Sequence, residues 1–258
     1  RATLLGVGVV NSHKFALTHF FNPVLYTRMV EVVMDDMDSA NQQSIWEFLT
    51  ALNRDPTATK DISGFVSNGM LMIYAVMALR LLECGARIEQ VDGAAKDLRL
   101  LPPFISFDSW KPSIVEDVTR IMAQLRGDEF LRSSPLLTRL AAGNPRFYVG
   151  STPNLKIYDL IARGEHTVTD ADVKLALQTS LLVAAARVAE LGESPPVVDR
   201  VATQGLKMPR PPLREIDARG AAHLLTDLAA TNRCLGAQPL PAPASLTAMV
   251  EQGTKFYN

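Results

Sequence analysis

His19 and Glu31 are the residues whose types and spacing best suit chemistry. An imidazole beside a carboxylate is a base with an orienter. The acid fixes the ring tautomer and stabilises the imidazolium formed when the other nitrogen takes a proton. The two lie twelve residues apart within THFFNPVLYTRMVEVVM, residues 18–34. Runs at 15–21 and 29–34 are rich in the aromatic and β-branched residues that suit a pleated surface. Pro23 ends the first run because it cannot donate to a ladder, and the link is too short for a parallel return. The pattern therefore predicts a hairpin. Symmetry about Leu25 sets His19 opposite Glu31 on one face, with Cβ atoms about 5 Å apart, and a slip of one residue would separate them. A bland reading stands beside this one: a partly buried histidine satisfied by a nearby acid, since such pairs also serve structure.

HFFNPV followed by MVEVV resembles the signature of the 3-hydroxyacyl-CoA dehydrogenases of fatty-acid β-oxidation. The resemblance implies that His19 is the catalytic base and Glu31 its partner. It also implies a helix opening at Gly64-Phe65-Val66-Ser67-Asn68, with Asn68 on the substrate. An asparagine there could instead be a helix N-cap. Asn22, just past the histidine strand, is a second substrate-binding candidate that turn formation explains nearly as well. The implied reaction is oxidation of a (3S)-hydroxyacyl-CoA to the 3-ketoacyl-CoA by NAD. Implied partners are the acyl-CoA substrate, an upstream enoyl-CoA hydratase domain, and a second copy of the chain or a thiolase. The implied compartment is the bacterial cytoplasm, mitochondrion or peroxisome.

Three departures from the family pattern bear on function. Gly69 stands where the family usually has Arg after the Asn. Pro102-Pro103-Phe104 replaces a Gly-Pro-Phe turn. The family's substrate-contacting Ser is expected upstream of Arg1. Residues 3–10 include Gly6 and Gly8, but Asn11 occupies the third position of a dinucleotide fingerprint and no helical run follows. No cofactor-binding residue is assigned to this segment, and NAD is expected to be held mainly by a missing N-terminal half. The 258 residues alone are therefore expected to bind substrate weakly and not to turn over.

Composition is that of an ordinary globular chain, with 47% hydrophobic and 21% charged residues. Lys and Arg number 26 against 27 Asp and Glu, so no charge excess points to nucleic acid or an anionic membrane. Cys84 and Cys234 show neither metal spacing nor a disulfide framework, which favours a reducing compartment. The longest apolar stretch, 70–82, is broken by Tyr74 and Arg80 and reads as a buried helix rather than a membrane span. His13 and His166 sit in polar stretches and His223 on a helix, with no ligand partner expected at i+4. Trp46 and Trp110 are expected to pack.

The elements that must position the pair follow in order. Residues 38–54 predict a helix capped at Asp38-Ser39, and 57–59 a short strand. Helices are expected at 65–84, closed by Gly85, and at Ile88–Asp97. A Pro-marked turn follows at Pro102-Pro103, then helices at 112–125 and 135–142. The chain then repeats. ALRLLECGARIEQVD (78–92) aligns with AARVAELGESPPVVD (185–199) at an offset of 107, and Phe147-Tyr148 answers Phe256-Tyr257. The second copy is two residues longer between Asp199 and Asp217. A link at 150–170 is expected to end with Asp170 capping the next helix. Leu175 falls where Asn68 stands, so the second copy reads as a structural half.

The fold expected is mainly α: the tail of a Rossmann-type domain (1–60, hairpin plus helix), then two repeated helical domains at 61–160 and 161–258. The leading function is the dehydrogenase segment. The alternative is a non-catalytic helical dimerisation or scaffold module keeping the His/Glu pair as a relic. A dehydrogenase for other hydroxy acids is a third possibility, disfavoured by the double helical repeat.

Overall fold

The structure is a computed structural model and describes residues 14–35, 37–161, 168–236 and 238–257. The glycine pair at Gly6 and Gly8, His13 and His166 lie outside them. Strands β1 (Leu17–Phe20) and β2 (Met29–Val33) form the antiparallel hairpin, with His19 paired to Glu31 as the symmetric register requires. Helix α1 (Ser39–Ala51) carries the chain across to β3 (Asp55–Thr59), which pairs parallel to β2. A parallel return needs such a crossover. The sheet order is β1-β2-β3.

Because side chains alternate along a strand, β2 faces two ways. Val30 and Val32 pack with Leu49 of α1 in a small cluster, while Met29 joins the large helical core. Glu31 shares that second face. Helix α1 has its expected cap, the Asp38 carboxylate accepting from Asn41 N–H. Its apolar residues are less well covered than expected: Trp46, Phe48 and Leu52 remain exposed, because only the stripe bearing Leu49 meets the sheet.

The core is built on two long helices, α2 (Phe65–Glu83) and α7 (Asp170–Glu190), packed against each other. α2 is long and apolar enough to cross a bilayer, yet most of it is buried inside the protein. Gly69 permits the contact, since a Cβ there would lie 2.7 Å from Val188 Cγ2. The Arg126 guanidinium fills the adjoining space and bonds the Ser63 carbonyl.

Helix α3 (Ile88–Asp97) follows α2 in the chain but packs chiefly on α7, while α4 (Pro103–Trp110), α5 (Pro112–Arg126) and α6 (Pro135–Gly143) stand around α2. Around α7 stand α8 (Pro195–Arg200), α9 (Pro212–Arg219), α10 (Ala221–Leu235) and α11 (Ala244–Gln252). Helix α4 corrects the expectation of a simple turn at Pro102-Pro103. Pro103 sits at the first helical position, where proline's missing N–H costs nothing and its φ is already helical. The described part of the expected link, residues 150–161, is more structured than expected: β5 (Thr152–Pro153) pairs with β4 (Tyr148–Val149) just before it, and a 3₁₀ turn follows at Leu155–Leu160. The cap of α7 is Thr169 rather than Asp170. Its hydroxyl accepts from Asp172 N–H while the Asp172 carboxylate accepts from Thr169 N–H.

One hydrogen-bond pattern occurs twice. Asp92 accepts the Phe104 and Ile105 amides at the start of α4 and the Tyr148 hydroxyl. Asp199 accepts the Leu213 and Arg214 amides at the start of α9 and the Tyr257 hydroxyl. Asp108 takes the amides of Phe147 and Tyr148, and Asp217 those of Phe256 and Tyr257. Glu83 caps α6 through Leu136 N–H, and Glu190 caps α11 through Ser245 N–H. These carboxylates explain why Glu, Asp and the Phe-Tyr pair stand out in the sequence alignment of the halves. Burial raises the Asp92 carboxyl above the usual aspartate range, against the pull of its three donors. One of the two extra residues in the second half is absorbed by a π-helical turn at Val201–Gly205, directly after α8.

Candidate active site

The site forms where the hairpin meets the start of α2. Gly64 caps that helix with φ +86°, and a Cβ there would fall 2.6 Å from Met122 Sδ, so only glycine fits. No side chain of the preceding loop caps the helix. Its open amides are met instead by Glu31, which is fully buried. Val66 N–H donates to Glu31 Oε2 at 2.8 Å and Ser67 N–H to Oε1 at 3.3 Å. The Ser67 hydroxyl also donates to Oε1. A helix N-terminus favours an acceptor at its open amides, and the Glu31 oxygens fill that place.

His19 Nδ1 lies 3.2 Å from Glu31 Oε1 and 3.2 Å from Ser67 Oγ. A carboxylate only accepts, so Nδ1 carries the proton and Nε2 is left as the basic nitrogen. The ring is stacked on Phe65 at 4.9 Å between centroids and meets the edge of Phe21 at 5.2 Å. Its orientation is thus fixed by two rings and one carboxylate.

His19 opens on a cavity of about 790 Å³. Asn22 and Asn68 line it with His19, so all three expected groups that could touch a substrate share one space. Asn68 is the fourth residue of α2 and not its cap, which removes the capping explanation for it. Leu71, Met72, Trp110 and Val115 supply an apolar wall, the shape a ligand site commonly takes.

Several contributors were not evident from sequence. Val66 acts through its amide, which no side-chain pattern reveals. Ser67 lay inside the motif already quoted, and a hydroxyl in the first turn of a helix was the available signal. Gly205, Leu206 and Lys207 also line the cavity, so the second half does more than brace the first. A Cβ at Gly205 would lie 2.5 Å from the Phe21 ring.

Other singled-out residues resolve simply. Trp110 packs beside Phe107, and Phe147 is buried against Phe104. His223 does have an i+4 neighbour, Asp227, at 3.7 Å, because helical spacing brings them to one face. Among the described residues no cluster of three or more potential ligands is built for a metal. Cys84 and Cys234 are free thiols, each pushed up in pKa first by burial.

Similarity to known proteins covers this same region. Residues 2–62 match the sequence profile described as 3-hydroxyacyl-CoA dehydrogenase, NAD binding domain. Residues 64–146 match that described as 3-hydroxyacyl-CoA dehydrogenase, C-terminal domain. Hydroxyacyl-coenzyme A dehydrogenase, mitochondrial, from Sus scrofa and from Homo sapiens is 38% identical over 96 residues, which is 36% of this chain and 31% of theirs. A 3-hydroxybutyryl-CoA dehydrogenase of Mycobacterium tuberculosis is 40% identical over 79 residues, 30% of this chain and 28% of that one. The chain thus spans about a third of the length of the curated relatives it matches. The crystal structure of 3-hydroxybutyryl-CoA dehydrogenase from Escherichia coli superposes on 98% of this chain and 74% of its own, with a TM-score of 0.73 and 16% identity. The shared fold therefore extends through the second helical half.

Proposed function

Because the chain belongs to the 3-hydroxyacyl-CoA dehydrogenase family, we propose that it carries the base-and-substrate part of an NAD-dependent oxidation of (3S)-hydroxyacyl-CoA to 3-ketoacyl-CoA. The carrying observation is the His19–Glu31 pair at 3.2 Å through Nδ1, which leaves Nε2 unused, on a residue that lines one cavity with Asn68. His19 Nε2 takes the proton of the substrate's C3 hydroxyl. Glu31 holds the tautomer and balances the imidazolium, and the Val66 and Ser67 donors keep that carboxylate in place. Asn68 orients the hydroxyl or thioester oxygen, and Asn22 is a weaker second contact.

NAD supplies the hydride acceptor when bound. The described residues do not cradle its phosphates: the start of α1 is taken by the Asp38 carboxylate and that of α2 by Glu31. The NAD phosphates are assigned to residues outside those described. The domain reading is 1–60 as the tail of the NAD-binding domain, then two copies of the helical domain at 61–160 and 161–258. The twofold Asp–amide–Tyr pattern supports it. Fatty-acid β-oxidation, a linked hydratase or thiolase, and a reducing compartment complete the reading.

The test is acetoacetyl-CoA reduction by NADH in a full-length protein containing this segment. His19→Ala is expected to lower kcat by about 10²–10⁴-fold, the usual contribution of a general base. Equal rates would remove His19 from the mechanism. A scaffold role draws on the α2–α7 packing, but it has no use for an oriented imidazole facing 790 Å³ of cavity.

A further inference from the structure

The cavity that His19 opens on has two exposed cations among its lining residues, Arg99 and Lys207, and no carboxylate among its described lining residues. The chain as a whole carries a net charge of −1, so this bias is local. The two cations occupy matching places. Arg99 follows the C-cap of α3, and Lys207 follows the C-cap of the π-helical turn after α8. Both adopt the left-handed backbone region, with φ of 56° and 59°. Glycine or asparagine is the usual occupant of such a position. Here it is filled twice by a long basic side chain, in a conformation that disfavours one. Among the described residues neither makes an ion pair or side-chain hydrogen bond.

Lys207 is not free to drift. Two residues earlier, Gly205 is seated so closely on Phe21 that any Cβ would enter its ring, and Phe21 borders His19. The turn is thereby pinned beside the histidine strand. Its extra residue sets where Lys207 emerges.

We propose that Arg99 and Lys207 form a cationic rim that binds the nucleotide phosphates of the ligand, one cation from each helical half. This rests on the acyl-CoA reading above. The ligand has an apolar reacting end, which suits the wall of Leu71, Trp110 and Val115, and a multiply anionic far end. Guanidinium and ammonium groups without internal partners bind organic phosphate through charge-assisted hydrogen bonds. The same phosphate chemistry could belong to the thioester's CoA or to the dinucleotide, and the experiment separates them.

Dissociation constants would be measured calorimetrically for CoA, pantetheine and NAD on a full-length protein containing this segment and on its Arg99→Asn and Lys207→Asn variants. Asparagine tolerates the left-handed region, so thermal midpoints should hold or rise while binding falls. Each substitution is expected to weaken CoA by about tenfold, the loss of one charged hydrogen bond, and to leave pantetheine unchanged. Lys207→Arg should restore CoA affinity. A fall in NAD affinity alone would assign the rim to the dinucleotide's phosphates. Unchanged affinity for both nucleotides would overturn the rim while leaving the acyl-CoA reading intact. Failure of the unsubstituted full-length protein to bind CoA at all would overturn both.

Discussion

The two long helices at the centre of the molecule begin in opposite ways. Helix α7 closes its own start, with Thr169 and Asp172 exchanging hydrogen bonds, and the Thr169 hydroxyl and amide, donating to the Asp172 carboxylate, hold it below the usual range. Helix α2 has Gly64 at its cap and leaves its second and third amides to Glu31, a residue 35 positions upstream. Borrowed caps of this kind are not special in themselves, since Asp92 and Asp199 do the same for α4 and α9. What differs is the third partner. Asp92 and Asp199 also receive a tyrosine hydroxyl, whereas Glu31 also receives an imidazole that faces a cavity. A helix end left open thus holds a carboxylate that orients an imidazole, and the related end in the other half, closed on itself, cannot.

Glu31→Ala should break this contrast most severely. It removes the acceptor from two buried amides and from His19, at about 1–3 kcal/mol for each group left unsatisfied. The urea midpoint should fall sharply, and reduction of acetoacetyl-CoA in the full-length protein should fall with it. A variant with a wild-type midpoint would show that the α2 amides find another partner. Gly205→Ala comes next. Its new methyl would meet the Phe21 ring at 2.5 Å, and such overpacking costs about 1–3 kcal/mol. Phe21 should shift against His19, visible as a change in the His19 ring resonances, even though the substitution lies in the other half. Thr169→Ala is the mildest. Losing the α7 cap should cost about 1 kcal/mol in thermal or urea unfolding and leave catalysis unaltered. A catalytic effect from that change would mean the second half is coupled to the base through its helix start as well.

Much of this arrangement was legible from residue order. The hairpin register followed from two strand-like runs and a short link, because period-two alternation allows only one pairing that puts His19 beside Glu31. The spaced Asp, Glu and Phe-Tyr matches fall on residues that make the same hydrogen bonds in both stretches. Helix α4 was missed because two adjacent prolines read as a break, although proline at a first helical position starts a helix equally well. The exposure of Trp46 and Phe48 was missed because apolar spacing says which stripe can be buried, not how wide the surface opposite it is.

Residue order alone was enough to set His19 opposite Glu31 and to put Asn68 near the start of a helix, since strand alternation and helical spacing are local rules of the backbone. Tertiary structure alone decided that Glu31 is held by the Val66 and Ser67 amides, and that Gly205 and Lys207 reach the same cavity from 186 and 188 residues beyond His19. The physical reason is that hydrogen bonds along one chain segment obey a fixed period. Which helix end meets which buried carboxylate depends instead on how finished elements pack.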